Sequence, residues 1–381
     1  MYRKNNPELY IFAIIAAALL CSLFALVSSA DAKQATDISA RAAVLYVPST
    51  GEFVYEKHAD ERLPMASTTK IMTALVTLEN IISLDDTVTV PDDCVGIEGS
   101  SAYLKAAETV TVEELLYALM LRSANDAAAV LACHIGGSIE GFASLMNEKA
   151  HKLGLDSTSF ENPHGLDGEN HYTTARELAI IASEAMKNPD FRQIVSTNKI
   201  SFTHGELKRT YVNHNKLLWR YDGCIGIKTG FTKKCGRCLV SATNKNGLEL
   251  IAVTLDAPND WNDHALLHDI GHEEYEEVKL IEEGGYSYDV GVLGSDSEFI
   301  RVENDDSISI TLKRSNHTVE REVVLPRYVT APINIGDELG YITFKADGKE
   351  VGRVALLAKE CAKEQKKNGF INKILSLFGA D

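Results

Sequence analysis

Apolar residues along this chain recur at two periods, and the architecture changes where the period does. In "ARAAVLYVPSTGEFVYEKHAD", residues 40–60, two β-rich runs flank Pro48-Ser49-Thr50-Gly51, which predicts a β-hairpin. "LPMASTTKIMTALVTLEN", residues 63–80, then has the spacing of an amphipathic helix with a proline just upstream. From about Leu84 to Lys187 the pattern stays mostly helical. "VTVEELLYALMLR", "ANDAAAVLACHI", "IEGFASLMNEKAHKLG" and "TTARELAIIASEAMK" each repeat apolar positions every three or four residues. Thr111, ahead of Glu113 and Glu114, suits an N-cap.

After Pro189 alternation replaces helical spacing. "KISFT" and "LKRTYVN" are joined at His204-Gly205; "GIKTG", "GRCLVSAT" and "LELIAVTLD" follow, the last two joined at Asn246-Gly247. A helix from about Asp263 to Glu283 closes the unit. Hairpin, helix, helical block, antiparallel strands and closing helix together predict a sheet with helices on its faces and a helical insert.

The texture changes again at Gly284-Gly285. Across residues 285–357 the runs "SISITL", "EVVLP", "LGYITF" and "VGRVALLA", with an Asp347-Gly348 turn, predict a small all-β domain. Residues 358–381 form a tail in which Phe370, Ile371, Ile374, Leu375 and Phe378 fall at helical spacing beside Lys366, Lys367 and Lys373. Such a basic amphipathic segment suits a membrane surface, and a terminal helix packed on the β-domain is the plainer alternative. At the other end, Arg3 and Lys4 precede an apolar run from Leu9 to Val27, and Ala30 and Ala32 in "SSADA" make an A-x-A-like cleavage signal. Residues 1–32 read as a signal peptide. An uncleaved anchor is the alternative, since about 20 apolar residues span a bilayer. On either reading the body, residues 33–284 and beyond, is exported.

Composition adds limits to this picture. A chain of 381 residues with 45% hydrophobic and 24% charged residues has room for one large and one smaller folded domain. Its formal net charge of −16 argues against a nucleic-acid partner, which needs a basic footprint. Beyond the leader lie Cys94, Cys133, Cys224, Cys235, Cys238 and Cys361. They read as buried thiols, as a disulfide within the 224–238 group, or as metal ligands, and the spacing leaves all three open.

Three polar clusters interrupt the predicted elements. Ser67 and Lys70, three positions apart on the first turn of the 63–80 helix, face the same way. A serine hydroxyl needs a base within reach to act as a nucleophile, and burial or neighbouring cations lower a lysine pKa towards that task. An N-cap beside a surface lysine explains the same letters. Ser123-Ala124-Asn125, between two helical patterns, is either a cap or a proton-passing hydroxyl with an amide that orients the lysine. In Lys228-Thr229-Gly230 the glycine weakens a strand unless another backbone must approach, and the lysine and threonine suit a carboxylate.

Taken in order, S-x-x-K, S-x-N and K-T-G are the signature of penicillin-binding proteins and class A β-lactamases. With "MASTTKIMTALVTLE", "LMLRSANDAAAVLA", "NPHGLD", "HYTTARELAIIA", and "GIKTGFT" ahead of "GRCLVSAT", about residues 37–283 resemble a particular family. It is that of the low-molecular-weight penicillin-binding proteins that act as D-alanyl-D-alanine carboxypeptidases, the S11 serine peptidases. The resemblance implies an α/β fold of the β-lactamase/transpeptidase type, an antiparallel sheet flanked by helices with a helical subdomain, followed by the small C-terminal all-β domain. It implies an exported enzyme at the extracytoplasmic face of a bacterial membrane, which removes the terminal D-alanine from peptidoglycan stem pentapeptides without a metal or other cofactor. β-Lactams would acylate the same serine.

The residue roles implied by the resemblance are specific. Ser67 would be the nucleophile, Lys70 its base, and Ser123 the group that returns a proton to the leaving D-alanine. Asn125 would hold the array, and Lys228, Thr229 and Gly230 would bind the substrate carboxylate. The backbone N–H groups of Ser67 and Phe231 would form the oxyanion hole. Two departures qualify this. Many relatives carry an arginine in the stretch written here "APNDWNDHALL", and none lies between Arg237 and Arg301, so carboxylate recognition would rest more on Lys228 and Thr229. Cys235 stands where an alanine is usual. A β-lactamase would need a deacylating carboxylate on a loop, and "FENPHG" suits that poorly; a non-catalytic penicillin-binding sensor is the third reading. His264, His268 and His272, at helical i, i+4 and i+8, read as a solvated face, since no glutamate stands between them as in a zinc helix. His164 reads as a loop residue of the site wall.

Overall fold

A computed structural model describes residues 38–204, 207–315 and 318–365; the expected leader and the apolar part of the tail lie outside them. Two compact units divide between His272 and Glu273.

In the first unit β1 (Ala42–Val47) and β2 (Glu52–Lys57) form the expected hairpin. A 3-10 turn, Ala66–Thr69, runs into α1 (Lys70–Asn80). The short pair β3 (Thr87–Thr89) and β4 (Thr109–Thr111) follows, within a stretch that reads as mostly helical. Next come α2 (Val112–Tyr117), a π-helical turn (Ala118–Arg122), α3 (Asn125–Gly136), α4 (Ile139–Lys152) and α5 (Ala175–Met186). Thr111 caps α2 as its sequence suggests, its Oγ1 accepting from the Glu114 N–H.

Strands do not resume directly at Pro189. Residues Pro189–Ser196 form α6, because Pro189 sits at the start, where its missing N–H costs nothing, and the Asn188 side chain accepts from the N–H groups of Asp190 and Phe191. The hairpin β5 (Lys199–His204) and β6 (Leu207–Val212) follows, then β7 (Cys224–Thr232), β8 (Gly236–Lys245), β9 (Leu248–Leu255) and α7 (Asp260–Glu274). The five-stranded sheet has the order β2-β1-β9-β8-β7, antiparallel throughout. Its two faces are both buried. Val44, Val253 and Val240, level with one another in the register, face the helical block, in one core with Ile71, Leu75, Leu119 and Ala182. The opposite face carries Leu45 and Leu250, against which Gly271 of α7 packs so closely that a Cβ would lie 2.6 Å from Leu250 Cδ1.

That second face overturns the solvated reading of the histidines. His264 and His268 are fully buried and answer hydroxyls on the sheet. His264 lies 2.9 Å from Thr254 Oγ1 and 2.6 Å from Ser241 Oγ; His268 lies 2.7 Å from Ser241 Oγ and 3.1 Å from Thr243 Oγ1. His272 lies 2.9 Å from Thr243 Oγ1. Helical spacing alone suggested water, but the partners come from β8 and β9, strands that only folding brings alongside.

The closing helix is also shorter than its sequence suggests. It ends at Glu274, and Tyr275–Ile281 is a strand, β10, paired antiparallel with β13 (Ile308–Lys313) from Tyr275↔Lys313 onward. The division of the chain therefore falls at 272/273, not at the Gly284-Gly285 texture change. The second unit is all β. Its six-stranded sheet orders β14 (Val319–Val324), β16 (Glu338–Ala346), β17 (Lys349–Ala358), β12 (Phe299–Glu303), β11 (Ser287–Leu293) and β15 (Tyr328–Thr330). Ile300, Val302, Ile342 and Leu356 form its own core.

Candidate active site

In the polar first turn of the 63–80 segment Thr68, Thr69 and Lys70 are buried, and Ser67 alone is half-exposed. Thr68 Oγ1 donates to the Met65 carbonyl at 2.6 Å and Thr69 Oγ1 to that of Ala66 at 2.8 Å, which tightens the backbone into a 3-10 turn. His171 holds the same turn. Its Nδ1 accepts from the Glu161 N–H at 3.0 Å, so Nε2 carries the proton and donates to Thr69 Oγ1 at 2.8 Å. Burial pushes the His171 pKa down to about 4, which keeps that tautomer neutral. The loop through "NPHGLD" closes against this turn: Thr73 Oγ1 donates to the Pro163 carbonyl at 2.6 Å. Gly165 has φ +86°, and a Cβ there would lie 2.0 Å from the Ala66 oxygen, so only glycine passes.

Lys70 leaves this turn with no exposure at all. Its Nζ lies 3.0 Å from Ser67 Oγ, donates to Asn125 Oδ1 at 2.7 Å, and donates to the His164 carbonyl. Burial, then the charge of Lys228, hold its pKa well below the ordinary lysine range, against an opposing pull from Asp126. The His164 ring, whose pKa burial drives down to about 3, offers no competing cation. Its backbone carbonyl holds the lysine.

The S-x-N segment is presented by backbone geometry. The π-helical turn ends at Ser123, which adopts the left-handed conformation (φ 65°, ψ 32°) before α3 begins at Asn125. Ser123 Oγ is buried and has no hydrogen-bond partner among the described residues. Asn125 is held on three sides: its N–H donates to the Ser100 carbonyl, its Nδ2 to the Glu98 carbonyl, and its Oδ1 accepts from Lys70. Asp126 fixes the same segment, its carboxylate accepting from the N–H groups of Ala102 and Leu104 and from Ser101 Oγ.

The third cluster lies on β7. A Cβ on Gly230 would sit 3.1 Å from the Ser67 nitrogen and 3.2 Å from the Met65 oxygen, so this strand position approaches the 3-10 turn as the sequence required. Lys228 is buried, and burial brings its pKa down to about 7; its Nζ donates to the Thr229 carbonyl at 3.0 Å. Ser67, Ser123, Thr229, Gly230 and Phe231 line one open cleft of about 490 Å³. Phe231 is largely exposed on its rim.

Some contributors escaped the sequence reading. Arg237 lines the same cleft, opposite Phe231 in the β7–β8 register, and its Nη1 lies 3.7 Å from Asp260 Oδ2. The stretch "APNDWNDHALL" brings no arginine to the cleft, whereas β8 brings Arg237. His171, the His164 carbonyl and Asp126 also act through contacts 22 to 102 residues distant, which no local motif announces. The thiols of 224–238 do not pair with one another: Cys224 Sγ donates to the Gly226 carbonyl at 3.3 Å, and Cys235 Sγ to Asp167 Oδ1 at 3.3 Å.

Residues 29–259 match the peptidase S11 family, described as D-alanyl-D-alanine carboxypeptidase. The chain belongs to that family. Residues 275–364 match the C-terminal domain of penicillin-binding protein 5, beginning where β10 begins. The D-alanyl-D-alanine carboxypeptidase DacF of Bacillus subtilis is 34% identical over 361 residues, 92% of each chain. DacC of Escherichia coli is 31% identical, covering 90% of this chain and 88% of its own. Among solved structures, penicillin binding protein 5 of Haemophilus influenzae is 28% identical, covers 86% of this chain and 98% of its own, and superposes with a TM-score of 0.61. The Streptomyces K15 DD-transpeptidase, 36% identical, covers 62% of this chain and 97% of its own at a TM-score of 0.59. The fold is thus the α/β sheet-and-helix fold of these peptidases followed by a separate all-β unit.

Proposed function

We propose that this D-alanyl-D-alanine carboxypeptidase works through an acyl-enzyme on Ser67. The observation that carries the reading is the environment of Lys70. A neutral lysine has two N–H bonds and one lone pair. Asn125 Oδ1 and the His164 carbonyl, both acceptors, take the two N–H bonds, so the lone pair is left for the Ser67 hydroxyl at 3.0 Å. Ser67 Oγ attacks the carbonyl between the last two D-alanines while its proton passes to Lys70. Ser123 Oγ, otherwise without a partner, relays a proton to the departing D-alanine nitrogen. Asn125 orients the lysine and the substrate backbone.

The developing oxyanion is met by the N–H groups of Ser67 and Phe231. The close approach of Gly230 to the Ser67 amide supports this, and such donors are typically worth about 3–4 kcal/mol in the transition state. Lys228, Thr229 and Arg237 bind the terminal carboxylate. Water, activated by Lys70, then hydrolyses the ester. A β-lactam opens on the same serine but keeps its leaving nitrogen tethered, so its adduct persists. The substrate is the peptidoglycan stem peptide, and the enzyme works on the extracytoplasmic side.

The test is mass spectrometry of products from a D-Ala-D-Ala-ended peptide, with wild type and Ser67→Ala in parallel. Wild type releases D-alanine and takes up the mass of one penicillin; the variant does neither. Equal release from both would overturn the nucleophile. A stable penicilloyl adduct without peptide turnover would favour a sensor, and rapid penicillin hydrolysis a β-lactamase.

A further inference from the structure

One pair of nucleophilic side chains plays no part in this chemistry. Cys94 closes the short 3-10 turn Asp92–Cys94 and is buried; Cys133, on the third turn of α3, is half-buried. Their sulfurs lie 3.1 Å apart although the residues are 39 positions apart in sequence. We propose that Cys94 and Cys133 form a disulfide in the exported protein, fixing the 95–104 segment to α3.

The geometry asks for little movement. A disulfide brings the sulfurs to about 2.05 Å, roughly 1 Å closer than they already stand. Cys224 and Cys235 each donate to an oxygen, whereas Cys94, which also has Asp93 Oδ1 at 3.7 Å, lies closer to a second sulfur than to that oxygen. The oxidant is a disulfide, small or protein-borne, of the kind found outside the cytoplasm. Cys133 is the sulfur it reaches. The Cys133 thiolate attacks the oxidant, forming a mixed disulfide and releasing one thiol. Cys94, deprotonated as it attacks, displaces the second thiol and closes the bond. Two protein thiols lose two protons and two electrons, and one disulfide becomes two thiols. Burial, with Cys133 and Asp93 adding to it, holds the Cys94 thiol far above its ordinary range, so the first attack falls to Cys133.

The bond would bear on the cleft. The segment after Cys94 supplies the Glu98 and Ser100 carbonyls that hold Asn125, and its far end is already fastened by Asp126. A link at Cys94 fastens the near end to the same helix, so the loop that steadies Asn125 has both ends anchored on α3. Asp93, Cys94 and Cys133 also group as three donors within 4.8 Å, which makes a metal the competing outcome. Three donors fall short of the four of a structural zinc site.

The exported protein is alkylated without reduction, digested and analysed by mass spectrometry. The expected product is a linked peptide pair joining Cys94 to Cys133, two hydrogens lighter than the free peptides. Reduction of wild type should then lower Tm by several degrees, as expected for a closed loop of this length. Cys94→Ser should lose the linked pair and show the same lower Tm. Wild-type protein in which both thiols alkylate after incubation with oxidised glutathione would overturn the proposal. So would a link from either cysteine to another, or one zinc per chain released by thiol-blocking reagent with no linked peptide found.

Discussion

A buried lysine cannot hold an ammonium as cheaply as water does, and Lys70 and Lys228 are both buried beside the cleft. The proposed mechanism requires opposite states of them. Lys70 must be neutral to accept the Ser67 proton, so acylation fails as pH falls through its depressed pKa. Lys228 must be charged to hold a carboxylate, and burial leaves its pKa at about 7, so kcat/KM should decline as pH rises through that value. Lys228→Arg keeps the charge at every working pH. Its kcat/KM profile should stay flat on the alkaline side, and a decline identical to wild type would assign that limb elsewhere. Arg237 belongs to the same scale. Arg237→Ala should raise KM for the peptide by about tenfold with a smaller change in kcat, the loss of one charge-assisted contact. Steady-state kinetics on the D-Ala-D-Ala-ended peptide reads this directly.

Elements bring these residues together, and two contacts between elements give tests at this scale. The first is β7 against the 3-10 turn of Ser67. Gly230→Ala introduces a methyl at 3.1–3.2 Å from the Ser67 nitrogen, the Ala66 Cβ and the Met65 oxygen, two of them backbone atoms that cannot turn aside. It should lower kcat by about 10- to 100-fold, the scale expected of a misplaced oxyanion donor, while Tm changes little. The second contact is α7 against the sheet. His264 is held neutral by burial, its pKa lowered to about 3 from an ordinary 6.5, and His268 is shifted the same way. Between about pH 6.5 and 3 the unfolded chain binds protons that the folded one refuses, so stability falls as pH falls through that window. The double variant His264→Gln/His268→Gln should lose Tm less steeply than wild type between pH 7 and 4.5, as calorimetry would record. Equal slopes would remove the histidine ladder from the acid response.

At the scale of the whole molecule, a mixed α/β unit carries the site and an all-β unit follows with its own core. For the basic tail, whose apolar part lies outside the described residues, we propose the lipid-surface reading of its sequence over packing on the β-domain. Deleting residues 363–381 should release the mature protein from vesicles in a sedimentation assay, and unchanged pelleting would count against that role. The order of the motifs made this general plan legible early. Short-period alternation marked β1, β2, β8 and β9, and a capping threonine marked α2. The legibility stopped where a partner lay far along the chain. Tyr275–Ile281 reads as the end of a helix until β13 pairs with it, and residues 189–196, after which strands are expected, form one more helix because Asn188 caps it.

Local order along the chain therefore determined the family and the proposed pairing of Ser67 with Lys70, because S-x-x-K needs only one turn of helix to become a contact. What folding alone settled is the state of that lysine and the identity of its company. A pKa depends on burial and on charges within a few ångströms, and the groups that set it here, Asn125, Asp126, the His164 carbonyl and Lys228, come from separate stretches. The same holds for Arg237 in the cleft, for the histidines beneath the sheet, and for two cysteines whose sulfurs meet across 39 residues. Periodicity encodes which way a side chain points. It does not encode what waits there.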